Sequence, residues 1–339
     1  MTLARTRQFG PSRFKPFARL VLAGALFMTN HWAQAAPALE LAGYAEDSGA
    51  ITVLHRGESA DPYFAMQALL LAHDNGLDTT ILATRFAHWL APKQKPDGTF
   101  DRFCRSEGSA WQSCKTADAD DALLAIWLKL LETMPQQLAK NEALKKSYAV
   151  SKKALDHLYQ PSRGVYMVSP VYLHGLFMDN LEVWSYLSHL KSARQGEANS
   201  LAQGIQTTFW NPVNRQYLVS TQLEQRSQKP AFYPDHVAQI FPLLVGFPLP
   251  GLAGQGASGY YTDWMRLHRA DWLRQSETDY PWGLIAVLAS NQGDAPSARC
   301  WLRTAAPLRH SSRWAVTDEV AYQIVTSRSL MPAPIGGPC

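Results

Sequence analysis

The sequence predicts an all-α fold, a toroid built from helical hairpins, and three observations carry that prediction. Six times along 339 residues an acidic residue heads a helix-like apolar run, with Asp61, Asp120, Asp179, Asp235, Asp279 and Asp318 as markers spaced 59, 59, 56, 44 and 39 residues apart. A loose repeat of this length suggests one helical hairpin per unit, each unit needing its neighbours to bury its apolar face. These runs alternate with amphipathic segments, as an inner and an outer ring would. There is no βαβ rhythm and no G-x-G-x-x-G, so a nucleotide-binding sheet is not expected.

The inner runs begin ADPYFAMQALLLA at Ala60, ADADDALLAIWLKLL at Ala117 and FMDNLEVWSYLSHL at Phe177. They continue with YPDHVAQIFPLLVG at Tyr233, ETDYPWGLIAVLAS at Glu277 and VTDEVAYQIVTS at Val316. Cores such as ALLAIWLKLL and GLIAVLA are apolar on most sides, as helices surrounded by others would be. Between them, 79–90, 136–159, 192–209, 260–273 and 296–305 read as amphipathic outer helices. In 136–159, Leu138, Leu144, Tyr148, Ala154 and Leu158 fall near helical period among Lys, Asn and Gln. Turn chemistry follows outer helices at Lys95-Pro96-Asp97-Gly98, Pro161-Ser162-Arg163-Gly164 and Asn211-Pro212-Val213-Asn214. Two of these turns lead into 165–168 and 216–219, which predict small β-hairpins on the rim.

Residues 1–36 read as a signal peptide. Arg5, Arg7, Arg13, Lys15 and Arg19 form a basic region, Leu20 to Met28 is a short apolar core, and Ala33-Gln34-Ala35 is a small-residue cleavage signal. The apolar run is too short for a membrane span, and nothing later is long enough, so no integral membrane segment is expected after cleavage near Ala35 or Ala36. Residues 37–339 form one expected α/α-toroid domain, a monomer in the periplasm or secreted. Removing five basic residues from a formal net charge of +4 leaves −1, and no basic stripe for nucleic acid remains. Four cysteines in an exported chain are read first as disulfides. Cys104 and Cys114 flank a short polar loop, and Cys300 and Cys339 could tie the Pro/Gly-rich tail to the last hairpin. With no CxxC and no paired His at ligand spacing, neither a metal nor another cofactor is expected.

If the hairpins close into a ring, the acidic helix starts converge at one end. Glycosidic cleavage needs a protonated carboxylic acid at the leaving oxygen and a carboxylate acting on water or the sugar. Clustered carboxylates raise the pKa of some members by repulsion, while helix N-termini favour ionised ones, so such a site can separate two pKa values. An Asp at a helix start is first of all an N-cap, and Asp61 and Asp318 are assigned that role. Asp118, Asp120 and Asp121 exceed what one cap needs. Asp120 and Asp121, with Glu277 and Asp279 across the ring, are the catalytic candidates. Asp118, Asp179, Glu182 and Asp235 are expected in the cleft. Aromatic faces stack on pyranose rings, and Trp111, Tyr172, Tyr233 and Trp282 near the helix starts are candidate subsite residues, while Trp127 and Trp184 read as core.

These residues carry a resemblance. Asp118-Ala119-Asp120-Asp121, Met178-Asp179-Asn180-Leu181-Glu182, Tyr233-Pro234-Asp235 with Gln239-Ile240-Phe241-Pro242, Phe209-Trp210-Asn211-Pro212 with Tyr217, and Tyr280-Pro281-Trp282-Gly283 together resemble the inner-helix starts of the six-hairpin glycosidase superfamily. The resemblance spans nearly the whole mature chain through short motifs and assigns no member family. It implies an (α/α)6 toroid whose inner-helix N-termini line a glycan cleft, with an oligo- or polysaccharide as partner and paired acids doing the chemistry. Ser106-Glu107-Gly108 is similar to the acid motif of a cellulase-type family, but directly precedes the DADD segment instead of lying a hairpin earlier.

Three other functions compete with a glycoside hydrolase. A polysaccharide lyase on the same toroid would need Tyr, His or Lys as base, and acids outnumber bases at the inner-helix starts. A glycan-binding or polysaccharide-export accessory protein would keep the aromatics without reactive acids. Asp118-Ala119-Asp120-Asp121 also resembles the D-x-D-D motif of class II terpene cyclases, and Gln94 to Phe100 their Q-x-x-D-G-x-W repeat with Phe for Trp. The chain is short for two such barrels, and export separates it from cytoplasmic isoprenoids.

Overall fold

The computed structural model describes residues 36–106, 108–117, 119–190, 194–225, 229–249 and 256–339. Residues 1–35, nearly all of the expected signal peptide, lie outside the described residues, as do Glu107 and Asp118. Ala36–Cys339 clusters as one unit. Its helices are α1 (Pro62–Asp74), α2 (Thr80–Leu90), α3 (Asp120–Glu132), α4 (Pro135–Lys140), α5 (Glu142–Leu158) and α6 (Phe177–His189). They continue with α7 (Gln195–Phe209), α8 (Val237–Val245), α9 (Gly256–Arg274), α10 (Gly283–Asn291), α11 (Ala295–Ala305) and α12 (Val316–Ser327).

The ring expected from the repeat closes. α1, α3, α6, α8, α10 and α12 pack each against the next, and α12 packs back on α1. The reason lies in their sidedness: ten of the thirteen residues of α3 are buried, including Trp127 at 0% exposure, because neighbours and an outer helix cover every face. Outside, α5 packs on α3, α7 on α6, α9 on α8 and α11 on α10, so the fold is the (α/α)6-type toroid of inner and outer helices. After α12 the tail runs without a helix along α11. Ala333 N donates to Arg299 O (2.9 Å), Arg303 donates to Pro334 O (2.7 Å), and Cys300–Cys339 closes the strap.

Three small sheets decorate the rim. β1 (Ser59–Ala60), β2 (Asp101–Cys104) and β3 (Gln112–Thr116) form one, with Cys104–Cys114 joining β2 to β3. β4 (Tyr159–Gln160) pairs with β5 (Val165–Tyr166), and β6 (Trp210–Asn211) with β7 (Gln216–Tyr217), where the sequence places two hairpins. No helix among the described residues is long and apolar enough to cross a membrane.

Two local expectations change. The helix expected over 136–159 is two helices, because the Asn141 side chain accepts from Ala143 N (2.9 Å) and Leu144 N (3.1 Å) and starts α5 afresh. The acidic markers are mostly not N-caps. Asp61 caps α1 by accepting from Tyr63 N (3.0 Å), but the residues preceding α3, α6, α10 and α12 are Ala119, Leu176, Trp282 and Ala315, which have no polar side-chain oxygen to offer. The free N–H groups are satisfied from elsewhere in the ring. Asp120 N donates to Val168 O (2.8 Å), Phe177 N to Val219 O (3.0 Å) and Val316 N to Val53 O (2.8 Å).

Outer helices and rim hairpins meet closely at Gly204 on α7. A Cβ there would lie 2.0 Å from Gly164 O in the β4–β5 turn, and that oxygen belongs to backbone that cannot step aside. Gly204→Ala should therefore destabilise by at least about 1–3 kcal/mol through overpacking. Gly196→Ala on the same helix, where a Cβ meets nothing within 4 Å, should be neutral or up to about 1 kcal/mol stabilising. Equal denaturation midpoints for the two variants would refute this packing.

Candidate active site

The DADD segment divides at the start of α3. Asp121 turns into the ring and is fully buried (0% exposed). Its Oδ1 accepts from Ala122 N (2.9 Å), and its Oδ2 has no hydrogen-bond partner among the described residues. Burial, with the charges of Asp179 and Glu182, raises its pKa well above the carboxylate range. Asp120 is half-buried and feels Lys95, Asp97 and Asp101 instead. Burial pushes it up to about 6, with Lys95 opposing and Asp97 and Asp101 adding to the rise.

The neighbouring inner helix completes the buried group. Glu182 is 6% exposed and accepts from Tyr63 Oη (2.8 Å), which in turn accepts from Gln67 Nε2 (3.1 Å). Burial and then the Asp179 charge push Glu182 up to about 8, against the pull of Tyr63, Lys129 and Gln67. Asp179, in the first turn of α6, is half-buried, and its charge acts on Asp121, Glu182 and Tyr63 alike. Thus α1, α3 and α6 bring together two buried acids whose pKa values are raised, with the half-buried Asp179 beside them.

Aromatic rings border this group on the α8 and α10 side. Tyr63 feels Tyr233, whose ring stacks on Trp282 at 5.3 Å between centroids and is 55% exposed. Phe64 meets Tyr63 (6.0 Å) and Tyr280 (6.3 Å). Trp282 adopts φ 53°, a left-handed conformation that costs energy in a bulky residue and must be held by its surroundings. The holding contacts are visible: Trp301 and Trp272 donate to Pro281 O (2.8 and 3.2 Å), and Gly283 N donates to Asp318 Oδ1 (2.7 Å). A Cβ on Gly283 would fall 2.6 Å from Ala321 Cβ, so only glycine lets the turn sit this close to α12.

The other expected site residues are placed apart from this group. Glu277 is exposed in the turn after α9, and Asp279 is exposed with Oδ1 accepting from Tyr280 N (2.8 Å). Asp235 accepts from Ala231 N (2.9 Å) in the turn before α8. Trp111 lies on the hairpin side, its Nε1 donating to Glu46 (3.1 Å) and its face under Arg105. Tyr172 is 63% exposed in the loop between β5 and α6, whose Val168 O accepts from Asp120 N. Asp318 is buried and pushed up to about 7, mainly by burial, while accepting from Gly283 N and Ala315 N. Tyr63, the second residue of α1, is one of the aromatics at the acidic helix starts, but its hydroxyl bond to Glu182 on α6 is a contact that sequence spacing does not show. The one group of three described residues whose donor atoms could share a metal is His236, His268 and Asp271, beside the head of α8.

No family model matches the chain, and no curated protein is similar to it in sequence. Solved structures are similar in fold. A novel alpha-amylase from Clostridium perfringens is 9% identical over 85% of this chain and 94% of its own, with a TM-score of 0.55. An uncharacterized conserved protein from Thermus thermophilus is 11% identical over 85% of this chain and 98% of its own, at 0.52. The GH63 mannosylglycerate hydrolase of the same organism, in complex with glucose, is 12% identical over 85% of this chain and 97% of its own, at 0.51. At such identities what is shared is the fold, the (α/α)6 toroid.

The raised Glu182 pKa has a thermodynamic consequence. Between its ordinary value of 4.5 and about 8, the native state keeps a proton that the unfolded chain releases. The contribution is full below 4.5 and is lost as pH rises through about 8, so stability falls across that window. Glu182→Gln should flatten the decline in denaturation midpoint from pH 5 to pH 8. Parallel profiles for wild type and variant would show that Glu182 is not the proton holder.

Proposed function

We propose that the protein is an exported glycoside hydrolase that cleaves an oligo- or polysaccharide at the carboxylate end of the toroid. One observation carries the proposal: Asp121, from the first turn of α3, and Asp179 and Glu182, from the first two turns of the adjacent α6, form one electrostatic group in which burial and neighbouring charge raise the pKa of Asp121 and Glu182. In this reading Glu182 donates a proton to the leaving oxygen, and Asp179, nearer solvent, acts on water or the sugar. Asp121 beneath them keeps its proton, so that the site does not collect three negative charges. The pair differs from the one expected in the sequence, since Asp179 and Glu182 take the roles assigned to Asp120, Asp121, Glu277 and Asp279. The Tyr233–Trp282 stack offers a face for a pyranose ring.

Two further facts support the reading. Two of the fold neighbours are by name an alpha-amylase and a mannosylglycerate hydrolase. Both disulfides, Cys104–Cys114 and Cys300–Cys339, suit an oxidising compartment outside the cytoplasm.

The test is reducing-end release from a panel of bacterial glycans, read beside binding. Asp179→Asn and Glu182→Gln should each lower kcat by about 10²–10⁴-fold while glycan binding persists. Full turnover by either variant would remove that residue from the chemistry. A glycan that the wild type binds and cleaves with a conjugated enoate product would assign elimination in place of hydrolysis.

A further inference from the structure

We propose that His236, His268 and Asp271 form a binding site for a divalent transition-metal ion of the zinc class, clamping the head of α8 to α9. One ligand atom from each of the three residues can be chosen so that all lie within 4.8 Å of one another. His268 and Asp271 stand three residues apart on α9, one face of a helix. His236 ends the turn Phe232–His236 that enters α8. Two nitrogens and one carboxylate oxygen suit zinc and its neighbours in the transition series, with a fourth position left open.

The surroundings fit a ligand set better than a packing accident. The imidazoles of His236 and His268 lie 4.1 Å apart between centroids, tilted by 35°, which brings their ring nitrogens to one side of the α8–α9 contact. His236 Nδ1 is buried with no hydrogen-bond partner among the described residues. The backbone is fixed: Trp264 Nε1 donates to His236 O (2.8 Å), and the Trp264 ring lies 5.4 Å from that of His268. Asp271 also meets Arg274, an exposed pair that an ion can displace at small cost. Beside His268 opens a cavity of about 240 Å³ lined by Gln239, Tyr260, Asp263, Trp264 and Leu267, room for water in the open position. Bonds of about 2.0–2.2 Å bring tetrahedral ligand atoms to roughly 3.3–3.5 Å from one another, so the side chains close by about 1 Å on binding.

The sequence hides this site because its first ligand lies 32 residues before the second, on a different helix of the hairpin. Its consequence is positional. The turn that carries His236 also carries Tyr233, the partner of the Trp282 stack, so an ion would hold that aromatic face in place.

The experiment uses the untagged full chain, stripped with chelator and dialysed. Zn²⁺ titrated calorimetrically should bind at one ion per chain, Co²⁺ should give the visible absorption of a low-coordinate nitrogen-ligated site, and Zn²⁺ should raise Tm. His268→Ala should weaken Zn²⁺ binding by at least about 100-fold, and Asp271→Asn by at least about 10-fold, with the Tm rise abolished or reduced. Both substitutions are on an outer helix, and the far-ultraviolet spectra and chelator-treated Tm of the variants check that they fold. His310→Ala, in the separate His55–His310 stack, should bind as wild type does. Failure of the stripped wild type to bind Zn²⁺ below millimolar, or unchanged affinity in folded His268→Ala and Asp271→Asn, would overturn the site.

Discussion

Each inner helix must start at one end of the ring with several unpaired N–H groups, and the ring solves this by handing acceptors from one unit to the next. The segment before α6 serves α3 through Val168 O, and the segment ahead of α8 serves α6 through Val219 O. Asp318 of α12 serves Gly283 at the start of α10, and Val53, ahead of α1, serves α12. The last of these joins the beginning of the described chain to its final inner helix and closes the circle. A hairpin removed from this ring would lose an acceptor as well as apolar contact, so the units are coupled through polar bonds at the same end where the acids gather.

That arrangement explains how so many carboxylates can stand at one end without all being spent on capping. Where a neighbour's carbonyl already satisfies the first turn, the acid in that turn is released for other work. Asp121 and Asp179 stand on helices served in this way. Two opposing influences then act on them: the helix dipole, which favours the charged form, and burial, which opposes it. Burial wins at Asp121 and Glu182, which sit below the surface beside another acid. Glu319 shows the opposite outcome at similar depth. It accepts from Arg309 through both oxygens (2.8 and 2.6 Å) and from Trp314 (3.1 Å), and its pKa is lowered.

Much of the fold was legible in the sequence because sidedness is a local property. The alternation of apolar and amphipathic segments places five outer helices and six inner ones, and the hairpins at 165–168 and 216–219 follow from their turn residues. The pairing Cys104–Cys114 and Cys300–Cys339 matched the loops that the cysteines bracket. What sequence spacing could not carry was direction. Asp120 and Asp121 are adjacent and chemically identical, yet about 100° of helical turn sends one into the ring and the other toward Lys95 and Asp101. Likewise Asp179 and Glu182 have the spacing of a capping box, yet Leu176 is the N-cap and Glu182 bonds to Tyr63 on α1. Glu277 and Asp279 matched the repeat but precede α10 by enough residues to reach the surface.

Hydrogen-bond accounting separates the acids that build the ring from those available for chemistry. Asp61 is engaged by Tyr63 N and by Arg102 (2.7 Å), Asp318 by Gly283 N and Ala315 N, and Glu319 by Arg309, Trp314 and Gln323. These three lie on α12 or at the start of α1, where the first and last inner helices join, and each has its acceptor sites filled by groups of the protein. Asp121 has a buried oxygen with no partner among the described residues, whereas Glu182 accepts from Tyr63 and is also held by Gln67. A buried acid with an unfilled site is costly to keep charged and costly to keep idle. Holding a proton lowers the first cost, and in the proposed mechanism it is the neighbouring Glu182 that passes its proton to a bound substrate. The proposed chemistry therefore falls on the α1–α3–α6 side of the ring, and at the α12 seam the same residue types hold the ring shut.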